Sequence, residues 1–303
     1  MGEYKMLAII IINYNGWKDT IECIESIELS GFRDFTIYVV DNASVDDSIL
    51  KLEDYINGTY KNVVLIKSNT NLGFSGGNNL GIIEAKKNPK IEYFLLLNND
   101  TLIDSSCLEE LLKPLDKNNI AATIGKIMYA NEKKKIWYAG GFLQEGILKP
   151  IHEGYNEIDV GKYEKQRNVS FATGCCFCLT RNCIEKIGLW SEDFFLYEED
   201  VDYSYRIIKA NQLITYVPKA IVYHKVSSST IKTGSLSEIY QVRNRLLLIK
   251  KYKKGFTAIF AYVVNTMIFI NRVRKGEYRI NPMLQGICAF LKGEKGKHES
   301  IIS

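Results

Sequence analysis

The sequence lacks the features of a secreted protein and of a zinc protein. Its seven cysteines are an odd number, and although Cys175, Cys176 and Cys178 crowd together, the chain has no paired C-x-x-C motifs. Structural zinc sites need such paired spacing, so we interpret the thiols as reduced and buried in a cytosolic protein. The apolar stretch 7–12 follows a polar start and has no small-residue cleavage site after it. The chain is therefore not expected to be exported.

The chain also lacks a long apolar run, an internal repeat and a low-complexity linker. Its most hydrophobic stretch, residues 256–270, falls short of the roughly 20 apolar residues that a membrane-spanning helix needs. Lysines precede this stretch, and Arg272, Arg274 and Lys275 follow it, a pattern typical of a helix lying on an anionic membrane surface. A helix packed on the body of the protein, or on a second subunit of a homodimer, fits the same pattern.

Charge is distributed unevenly along the chain. The net charge is +4, but residues 238–303 carry 13 Lys and Arg against 4 Asp and Glu, which leaves −5 for residues 1–237. This asymmetry predicts an acidic catalytic domain over residues 1–235 and a basic helical extension over residues 236–303 that faces an anionic partner. A solvated basic helix face would have the same composition.

The first half of the chain alternates between short apolar runs and longer stretches of helical character. The runs are 7–13, 36–41, 63–67 and 93–98, and they predict strands covered by helices on both faces. A β-α-β-α order implies parallel strands joined by right-handed crossovers. Ligands of such sheets bind beyond the carboxyl ends of the strands.

Polar residues follow each of these four runs. They are Asn13-Tyr14-Asn15-Gly16, Asp41-Asn42-Ala43-Ser44, Asn69 to Gly73, and Asn98-Asn99-Asp100-Thr101. Such residues are common in turns and helix caps, which would explain any one group. Four groups at four strand ends predict a single polar crevice.

Five motifs in order over residues 7–250 resemble those of a known family. They are I-N-Y-N at 12–15, V-D-N-A-S at 40–44, N-L-G-F-S-G-G-N-N-L-G at 71–81, L-N-N-D-T at 97–101 and Y-E-E-D-V-D at 197–202. Each is weak alone, but the succession resembles the family 2 glycosyltransferases, and within them the rhamnosyltransferase-like group of bacterial polysaccharide biosynthesis. The resemblance implies an α/β, Rossmann-like GT-A fold with a mixed central sheet flanked by helices and a C-terminal helical extension.

The resemblance also implies how a nucleotide sugar would bind. Asp41 corresponds to the acidic residue that contacts the nucleoside, and the turn Asn13, Tyr14, Asn15 would line the same site. Small residues near the donor let the backbone approach closely. The other donor-binding positions implied are Asn71, Gly73, Asn78, Asn98 and Asn99.

The triplet Asn98-Asn99-Asp100 occupies the position of the family's D-x-D metal motif. Only Asp100 is ionised, because Asn98 replaces the other carboxylate. One carboxylate would hold Mg²⁺ or Mn²⁺ loosely, so we expect metal binding to depend on the nucleotide phosphates. Similar enzymes place a metal-contacting histidine where His224 lies, although a lone histidine at a strand end is often structural.

Glu198-Glu199-Asp200 resembles the motif that supplies the catalytic base at the start of a helix. Asp200 is the predicted base, Asp202 is the second choice, and Glu199 would orient the acceptor or the metal shell. A helix N-terminus favours an ionised carboxylate. Acidic residues in the first turn of an ordinary helix would give the same sequence.

Further positions are implied on the acceptor side. Gly174 and its neighbours would form that side, and Trp190 would either stack on a sugar or lie in the core. Tyr240 and the cluster Arg243-Asn244-Arg245 would meet a diphosphate or the phosphate of a lipid-linked acceptor.

We therefore expect a metal-dependent inverting glycosyltransferase that uses a pyrimidine nucleotide donor. A rhamnose donor on deoxythymidine diphosphate is implied by the resemblance, and uridine diphosphate sugars stay open. The expected acceptor is a saccharide or lipid-linked saccharide in cell-surface polysaccharide synthesis, and no nucleic-acid partner is expected. The expected location is the cytoplasm, peripheral on the inner face of the plasma membrane.

Two other functions compete with this prediction. A sugar nucleotidyltransferase would share the crevice and metal but usually has a glycine-rich, basic loop after the first strand, which residues 13–17 do not form. A non-catalytic nucleotide-sugar-binding scaffold is favoured by Asn98 in the metal motif and disfavoured by the intact acidic motif at 198–202.

Overall fold

A computed structural model describes residues 5–117, 119–226 and 229–298, without the side chains of residues 229–233. The polar N-terminal residues 1–4, part of the argument against export, lie outside the described residues. The strands are β1 (Met6–Asn13), β2 (Phe35–Asp41), β3 (Val63–Lys67), β4 (Ile91–Leu97), β5 (Thr101–Ile103), β6 (Ile120–Tyr129), β7 (Ile136–Tyr138), β8 (Gly141–Gln144), β9 (Lys149–His152), β10 (Arg167–Val169), β11 (Cys176–Thr180) and β12 (Leu213–His224). The helices are α1 (Trp17–Glu28), α2 (Ser48–Ile56), α3 (Gly73–Lys86), α4 (Cys107–Leu112), α5 (Arg181–Ile187), α6 (Glu199–Lys209), α7 (Ser229–Tyr252), α8 (Gly255–Arg274) and α9 (Ile280–Leu291), with a 3-10 turn at Lys113–Asp116.

The main sheet is mixed, with the strand order β10-β12-β6-β11-β4-β1-β2-β3, while β5 pairs with β12 and β7 pairs with β6. Strands β1 to β4 are parallel to one another. β11 is antiparallel to both β4 and β6, and β12 is parallel to β6. The predicted α/β, GT-A-like fold with a mixed sheet is therefore confirmed. The β-α-β-α inference of parallel strands holds for the first four strands.

The parallel half forms because its strands are apolar on both faces. Ile9, Ile10 and Ile11 in β1 and the middle of β4 are fully buried. Helix α3 approaches this sheet closely at Gly81, where an added Cβ would lie 2.6 Å from Cγ2 of Ile10. The glycine thus lets the helix pack tightly behind the carboxyl ends of the strands.

The middle of the chain, residues 136–183, forms the short strands β7 to β11. β8 and β9 make an antiparallel hairpin, and β11 inserts between β4 and β6. The register of β11 places Cys176 opposite Leu97. As a result, the residues just before β11 lie at the carboxyl end of β4.

The C-terminal helices pack on the body and on each other. Val242 and Leu246 of α7, Phe269 of α8, Tyr278 and Met283 form a second, smaller core. α7 is kinked at Gly234 (φ 45°), next to the predicted domain boundary at 235/236, which stays a prediction.

Helix α8 is longer than the apolar stretch that predicted it. It has 20 residues and, by length and composition alone, is long and apolar enough to cross a membrane. Only 17% of its apolar 18-residue segment is buried against the rest of the protein. The expectation that this stretch falls short is therefore corrected, because Gly255 and residues 271–274 extend the helix. Its buried side chains, Ala261, Asn265 and Phe269, lie on one face.

The thiols are free, as expected, and six of the seven are buried. Cys288 is exposed, so the interpretation that all are buried is wrong for this residue. Burial raises the pKa of Cys23 and Cys176 to about 12. These thiols are therefore not nucleophiles at neutral pH.

Candidate active site at the carboxyl ends of the strands

Asn13 and Asp41, at the ends of β1 and β2, are fully buried and hydrogen-bonded to each other. Asn13 Nδ2 donates to Asp41 Oδ1 at 2.8 Å. The hydroxyl and backbone N–H of Ser44 donate to the same carboxylate at 2.6 Å and 3.0 Å. These three donors fix the orientation of the Asp41 carboxylate and use three of its roughly four lone-pair sites.

The turn after β1 is held rigid around an exposed aromatic ring. Asn15 adopts a left-handed conformation (φ 54°), its Oδ1 accepts from the N–H of Val45 at 2.8 Å, and its own N–H donates to Ser44 Oγ at 2.9 Å. Tyr14 is 48% exposed. The turn therefore presents one exposed ring beside the buried carboxylate of Asp41.

A hydrogen-bonded path joins the predicted metal motif to this turn. Asn99 Nδ2 donates to Thr20 Oγ1 at 3.1 Å, and Thr20 Oγ1 donates to Asn13 Oδ1 at 2.8 Å. The ends of β1, β2 and β4 are thus brought together. Thr20 was missed by sequence reasoning because it lies inside helix α1, outside the strand-end motifs.

The segment after β3 holds the loop that precedes α6. Asn71 Oδ1 accepts from Asn42 Nδ2 at 3.2 Å and from the N–H of Gly73 at 2.9 Å. Gly73 has φ +70°, and a Cβ there would lie 2.2 Å from the carbonyl oxygen of Phe195. Only glycine fits this position.

Within α3, the polar side chains contact protein groups. Asn78 is 2% exposed and donates to the carbonyl of Phe74 at 3.0 Å. Asn79 donates to the carbonyl of Trp190 at 3.0 Å, and Ser75 donates to the carbonyl of Phe194 at 2.9 Å. These contacts orient the 190–197 loop, a role that the motif alone did not indicate.

Asp100 and His224 form the predicted metal pair. Asp100 Oδ1 lies 3.2 Å from His224 Nε2, and both side chains are 9% exposed. The pairing of β5 with β12 sets Thr101 opposite His224, which brings Asp100 beside the imidazole. The ring packs edge-on against Trp137, with the centroids 4.8 Å apart.

The donor set fits a divalent metal that the protein holds through two side chains. In an octahedral shell with bonds of about 2.1 Å, adjacent ligand atoms lie about 3 Å apart, close to the Asp100–His224 separation. Within the described ranges, no group of three or more His, Cys, Asp or Glu side chains could hold a metal ion. The remaining ligands would therefore come from the nucleotide, from amide oxygens or from water.

The acidic motif lies where the loop from the sheet enters α6. Asp200 Oδ2 accepts from the N–H of Gly174 at 3.2 Å, and Oδ1 accepts from the N–H of Val201 at 2.8 Å. Asn98 donates its N–H to the carbonyl of Cys175, the residue after Gly174, at 3.0 Å. Gly174 and Cys175 thus link Asp200 to Asn98, the residue after β4.

Burial sets the protonation of these carboxyls. Burial raises the pKa of Asp200 to about 6, the charge of Glu198 adds to the rise, and the two backbone donors oppose it. Burial and the charge of Asp200 raise the pKa of Glu199 well above its usual range. Asp200 is therefore mostly ionised at neutral pH.

Asp202, the second-choice base, is buried inside an ion-pair network. Its carboxylate accepts from Arg206 Nε at 2.9 Å, from Lys251 Nζ at 2.6 Å and from the hydroxyl of Tyr252 at 2.6 Å. Its side chain has 0% exposure. These contacts make Asp202 a structural residue that joins α6 to α7.

For the acceptor side, the core alternative holds for Trp190, and the expectation that Arg243 and Arg245 contact a phosphate is wrong. Trp190 is 2% exposed and stacks on Tyr203 with ring centroids 4.6 Å apart, so it lies in the core. Arg243 is fully buried and donates to the carbonyl of Gly296 at 2.6 Å. Arg245 pairs with Glu198 at 2.7 Å, so neither guanidinium presents itself to a phosphate.

Comparisons with known proteins agree with this architecture. The sequence model described as "Glycosyl transferase family 2" matches residues 8–188. The chain is 26% identical to the low-salt glycan biosynthesis hexosyltransferase Agl10 of Haloferax volcanii, covering 97% of this chain and 93% of that protein. It is 23% identical to the N-acetylglucosaminyl-diphospho-decaprenol L-rhamnosyltransferase of Mycobacterium tuberculosis, covering 74% of this chain and 78% of that protein.

A solved structure with the same fold covers nearly the whole chain. It is the mannosyltransferase PcManGT from Pyrobaculum calidifontis in complex with GDP-Man and Mn²⁺, with a TM-score of 0.62 and 12% sequence identity. The likeness covers 95% of this chain and 88% of that one. At this identity it shows the fold alone.

Proposed function

The chain belongs to glycosyltransferase family 2, and we propose that it transfers one sugar from a nucleoside diphosphate donor to an acceptor hydroxyl with inversion at the anomeric carbon. The observation that carries this proposal is Asp200, an ionisable carboxylate with a pKa of about 6 at the carboxyl end of the sheet. A base whose pKa lies just below neutral is both ionised and basic enough to accept a proton.

In the proposed reaction Asp200 accepts the proton of the acceptor hydroxyl as that oxygen attacks the anomeric carbon. The new glycosidic bond forms on one face of the sugar, and the bond from the anomeric carbon to the diphosphate oxygen breaks on the other. The nucleoside diphosphate leaves with the bonding electron pair. The N–H donors of Gly174 and Val201 orient the carboxylate, and Glu199 is proposed to orient the acceptor.

Asp100 and His224 would hold Mg²⁺ or Mn²⁺ between them and the donor. When bound, the metal would neutralise charge that develops on the leaving diphosphate. Asn98 in place of a second carboxylate lowers the negative charge of the site. Metal binding is therefore proposed to require the nucleotide.

The nucleoside would bind at the ends of β1 and β2. Asp41, held by Asn13 and Ser44, is proposed to accept from a pyrimidine N–H or a ribose hydroxyl. Asn15 would support the turn, and the exposed ring of Tyr14 is proposed to lie against the base. Asn71, Gly73 and Asn78 would act by holding the wall of this site, and Asn99 by joining it to the metal motif.

The acceptor is proposed to be a saccharide or lipid-linked saccharide of a cell-surface polysaccharide. The two sequence relatives support this, since one is named for glycan biosynthesis and the other for a diphospho-decaprenol acceptor and rhamnose transfer. A rhamnosyl donor on deoxythymidine diphosphate is proposed first and a uridine diphosphate sugar second. The fold neighbour was solved with a guanine nucleotide, so a test must include purines.

The exposed face of α8 is proposed to lie on an anionic membrane at the cytoplasmic surface. Phe256, Phe260 and Met267 are 82%, 51% and 63% exposed, and residues 255–271 of the helix contain no charged residue. Lysines and arginines flank the helix at both ends, as expected for contact with anionic headgroups. Asn265 donates to the carbonyl of Ile147 on the body at 3.2 Å, which favours a helix lying flat over one that spans.

One experiment separates this proposal from its rivals. The purified chain is incubated with nucleotide sugars, Mn²⁺ and a saccharide or prenyl-diphosphate saccharide acceptor, and the anomeric configuration of the product is read by NMR. We expect an inverted glycoside, and Asp200→Asn is expected to lose turnover by more than about 1000-fold while it still binds the nucleotide. Full activity of Asp200→Asn would contradict the assigned base.

The same reaction distinguishes the alternatives. Formation of a nucleotide sugar from a sugar phosphate and a nucleoside triphosphate would identify a nucleotidyltransferase. Nucleotide-sugar binding without turnover on any acceptor, unchanged by Asp200→Asn, would identify a scaffold.

A further inference from the structure

Two consecutive residues before the proposed base adopt a strained backbone conformation. Tyr197 and Glu198 have φ values of 68° and 72°, in the left-handed region that is costly for residues with a Cβ. Such a conformation persists only where surrounding contacts hold it.

Asn244 of α7 is fully buried and holds the backbone of this turn. Its Nδ2 donates to the carbonyls of Leu196 and Tyr197, each at 2.9 Å. Arg243 Nε donates to Asn244 Oδ1 at 2.9 Å, which orients the amide so that its two N–H groups face the two carbonyls. One side chain thus satisfies two consecutive peptide groups of the strained turn.

Arg245 of α7 holds the side chain that follows. Its Nη2 lies 2.7 Å from Glu198 Oε1, its Nη1 donates to the carbonyl of Leu148, and both charged side chains are 10% exposed. The second oxygen of Glu198 is buried and has no hydrogen-bond partner among the described residues. The buried charge of Glu198 therefore depends on Arg245.

We propose that Asn244 and Arg245 are positioning residues, which hold the acidic turn, residues 196–200, so that Asp200 reaches the acceptor hydroxyl. The C-terminal helix α7 then completes the transferase site that the parallel strands begin. This inference rests on the proposed function, because it assumes that Asp200 is the base.

The charge of Glu198 also acts on Asp200. Several other ionisable groups face Glu198 and Asp200. They are Glu199 and Asp202 of α6, Arg245 of α7, Arg272 of α8, Tyr138 of β7 and Tyr278, which precedes α9. Glu198 raises the pKa of Asp200, and Arg245 lowers it. Removing the charge of Glu198 while keeping its shape must therefore lower the pKa of Asp200.

The first test separates catalysis from donor binding. In Asn244→Leu and Arg245→Met, kcat is expected to fall by about 100-fold, because misplacement of a catalytic group by about 1 Å has such an effect. The KM of the donor is expected to change less than about threefold, since the nucleoside site lies on other elements. Lys61→Met, which removes one exposed positive charge before β3, is the control and should retain wild-type kcat.

The second test separates positioning from a general loss of stability. Arg245→Lys keeps the charge and should retain kcat within about tenfold. The double variant Arg245→Met/Glu198→Gln has no unpaired buried charge, so it should fold even where Arg245→Met does not, and its kcat should stay at least about tenfold below wild type because the ion pair that holds the turn is absent. In Glu198→Gln alone, the acid limb of kcat/KM should move to lower pH by about half a unit or more.

The outcomes are decisive in both directions. Wild-type kcat in the double variant, with an unmoved acid limb in Glu198→Gln, would overturn the positioning role. An active Asp200→Asn variant would instead overturn the proposed function, whatever the α7 variants do.

Discussion

Asp100 Oδ1 and His224 Nε2 face each other at 3.2 Å because β5 and β12 pair with Thr101 opposite His224. The two residues are far apart in the sequence, and the antiparallel contact between the three-residue strand β5 and the last strand of the sheet, β12, brings them together. An oxygen and an unprotonated imidazole nitrogen at this separation can bind one cation. The second residue of the proposed metal pair is thus supplied by the last strand of the sheet.

We predict that the loose metal site can be tightened by one substitution. Asn98→Asp restores a second carboxylate, and an anionic oxygen binds a hard cation more strongly than an amide oxygen. The apparent affinity for Mn²⁺ in the presence of nucleoside diphosphate should rise about tenfold, measured by thermal shift against Mn²⁺ concentration.

Loss of the metal pair should have the opposite effect. Asp100→Asn and His224→Ala are expected to remove most of the Mn²⁺-dependent stabilisation, whereas His298→Ala, a histidine paired with Glu294, should leave it unchanged. A nucleotide response in Asp100→Asn with unaltered Mn²⁺ dependence would show that the metal binds elsewhere.

The pH dependence of turnover should follow the carboxyl cluster. Because Asp200 must be ionised to accept a proton and its pKa is raised to about 6, kcat/KM should climb about tenfold per pH unit below pH 6 and level off above pH 7. The measurement is kcat/KM between pH 4.5 and 8 with saturating Mn²⁺. A midpoint near the ordinary aspartate value of about 4 would argue against a buried base.

Ionisation of Asp200 should also lower the stability of the folded chain. The folded chain binds the proton of Asp200 more tightly than the unfolded chain does, so this favourable contribution is complete below pH about 4 and is lost as the pH rises through about 6. At pH 7 the ionised carboxylate is therefore destabilising, by about 3 kcal/mol for a rise of two units. Asp200→Asn should raise Tm by several degrees at pH 7.

The pH series supplies the control for that prediction. The difference in Tm between Asp200→Asn and the wild-type chain should vanish below about pH 3, where Asp200 is protonated in both the folded and unfolded states. A difference that is constant with pH would assign the effect to packing.

Local patterns predicted the parallel half of the fold and that the polar residues after its strands would lie close together. The apolar runs of β1 to β4 and the polar residues after them are contiguous in sequence, so their meaning can be recognised without a partner. The antiparallel insertion of β11 could not be predicted in this way, because Cys176 and Leu97 pair across a long sequence separation. The sequence of a short apolar strand does not show which other strand it will pair with.

The same reason explains which site residues were assigned incorrectly. Asp202 looked like a candidate base because its partners, Lys251 and Tyr252, lie at the far end of α7. Arg243 and Arg245 looked like phosphate ligands because an arginine-rich helix is usually exposed. Their burial depends on the packing of α7 against the 190–198 loop, which no local pattern encodes.

The close contact between α3 and β1 predicts that Gly81→Ala destabilises the protein. Alanine in place of glycine inside a helix normally stabilises by about 1 kcal/mol. At Gly81, however, the new methyl group would lie 2.6 Å from Cγ2 of Ile10 and 3.3 Å from Cγ2 of Val40, and overpacking a core costs about 1–3 kcal/mol. Gly81→Ala should therefore lower the free energy of unfolding, measured by denaturant titration.

A matched control exists in the turn after β8. An added Cβ at Gly146 meets no atom within 4 Å, so Gly146→Ala should change the free energy of unfolding by less than about 0.5 kcal/mol. Equal effects of the two substitutions would mean that α3 can shift away from the sheet at no cost.

The exposed face of α8 should bind anionic vesicles. Phe260→Asp and Met267→Asp each place a charge in the middle of the apolar face, which would have to enter the lipid headgroup region without its water. Both should reduce flotation with phosphatidylglycerol-containing vesicles by at least about tenfold, and the wild-type chain should bind less at high salt, because flanking cations contribute. Ile83→Asp, at an apolar residue of α3 that is 50% exposed, is the control and should float like the wild-type chain. A chain that stays in the soluble fraction at low salt, and that sediments as a dimer disrupted by Phe260→Asp, would instead assign this face to a second subunit.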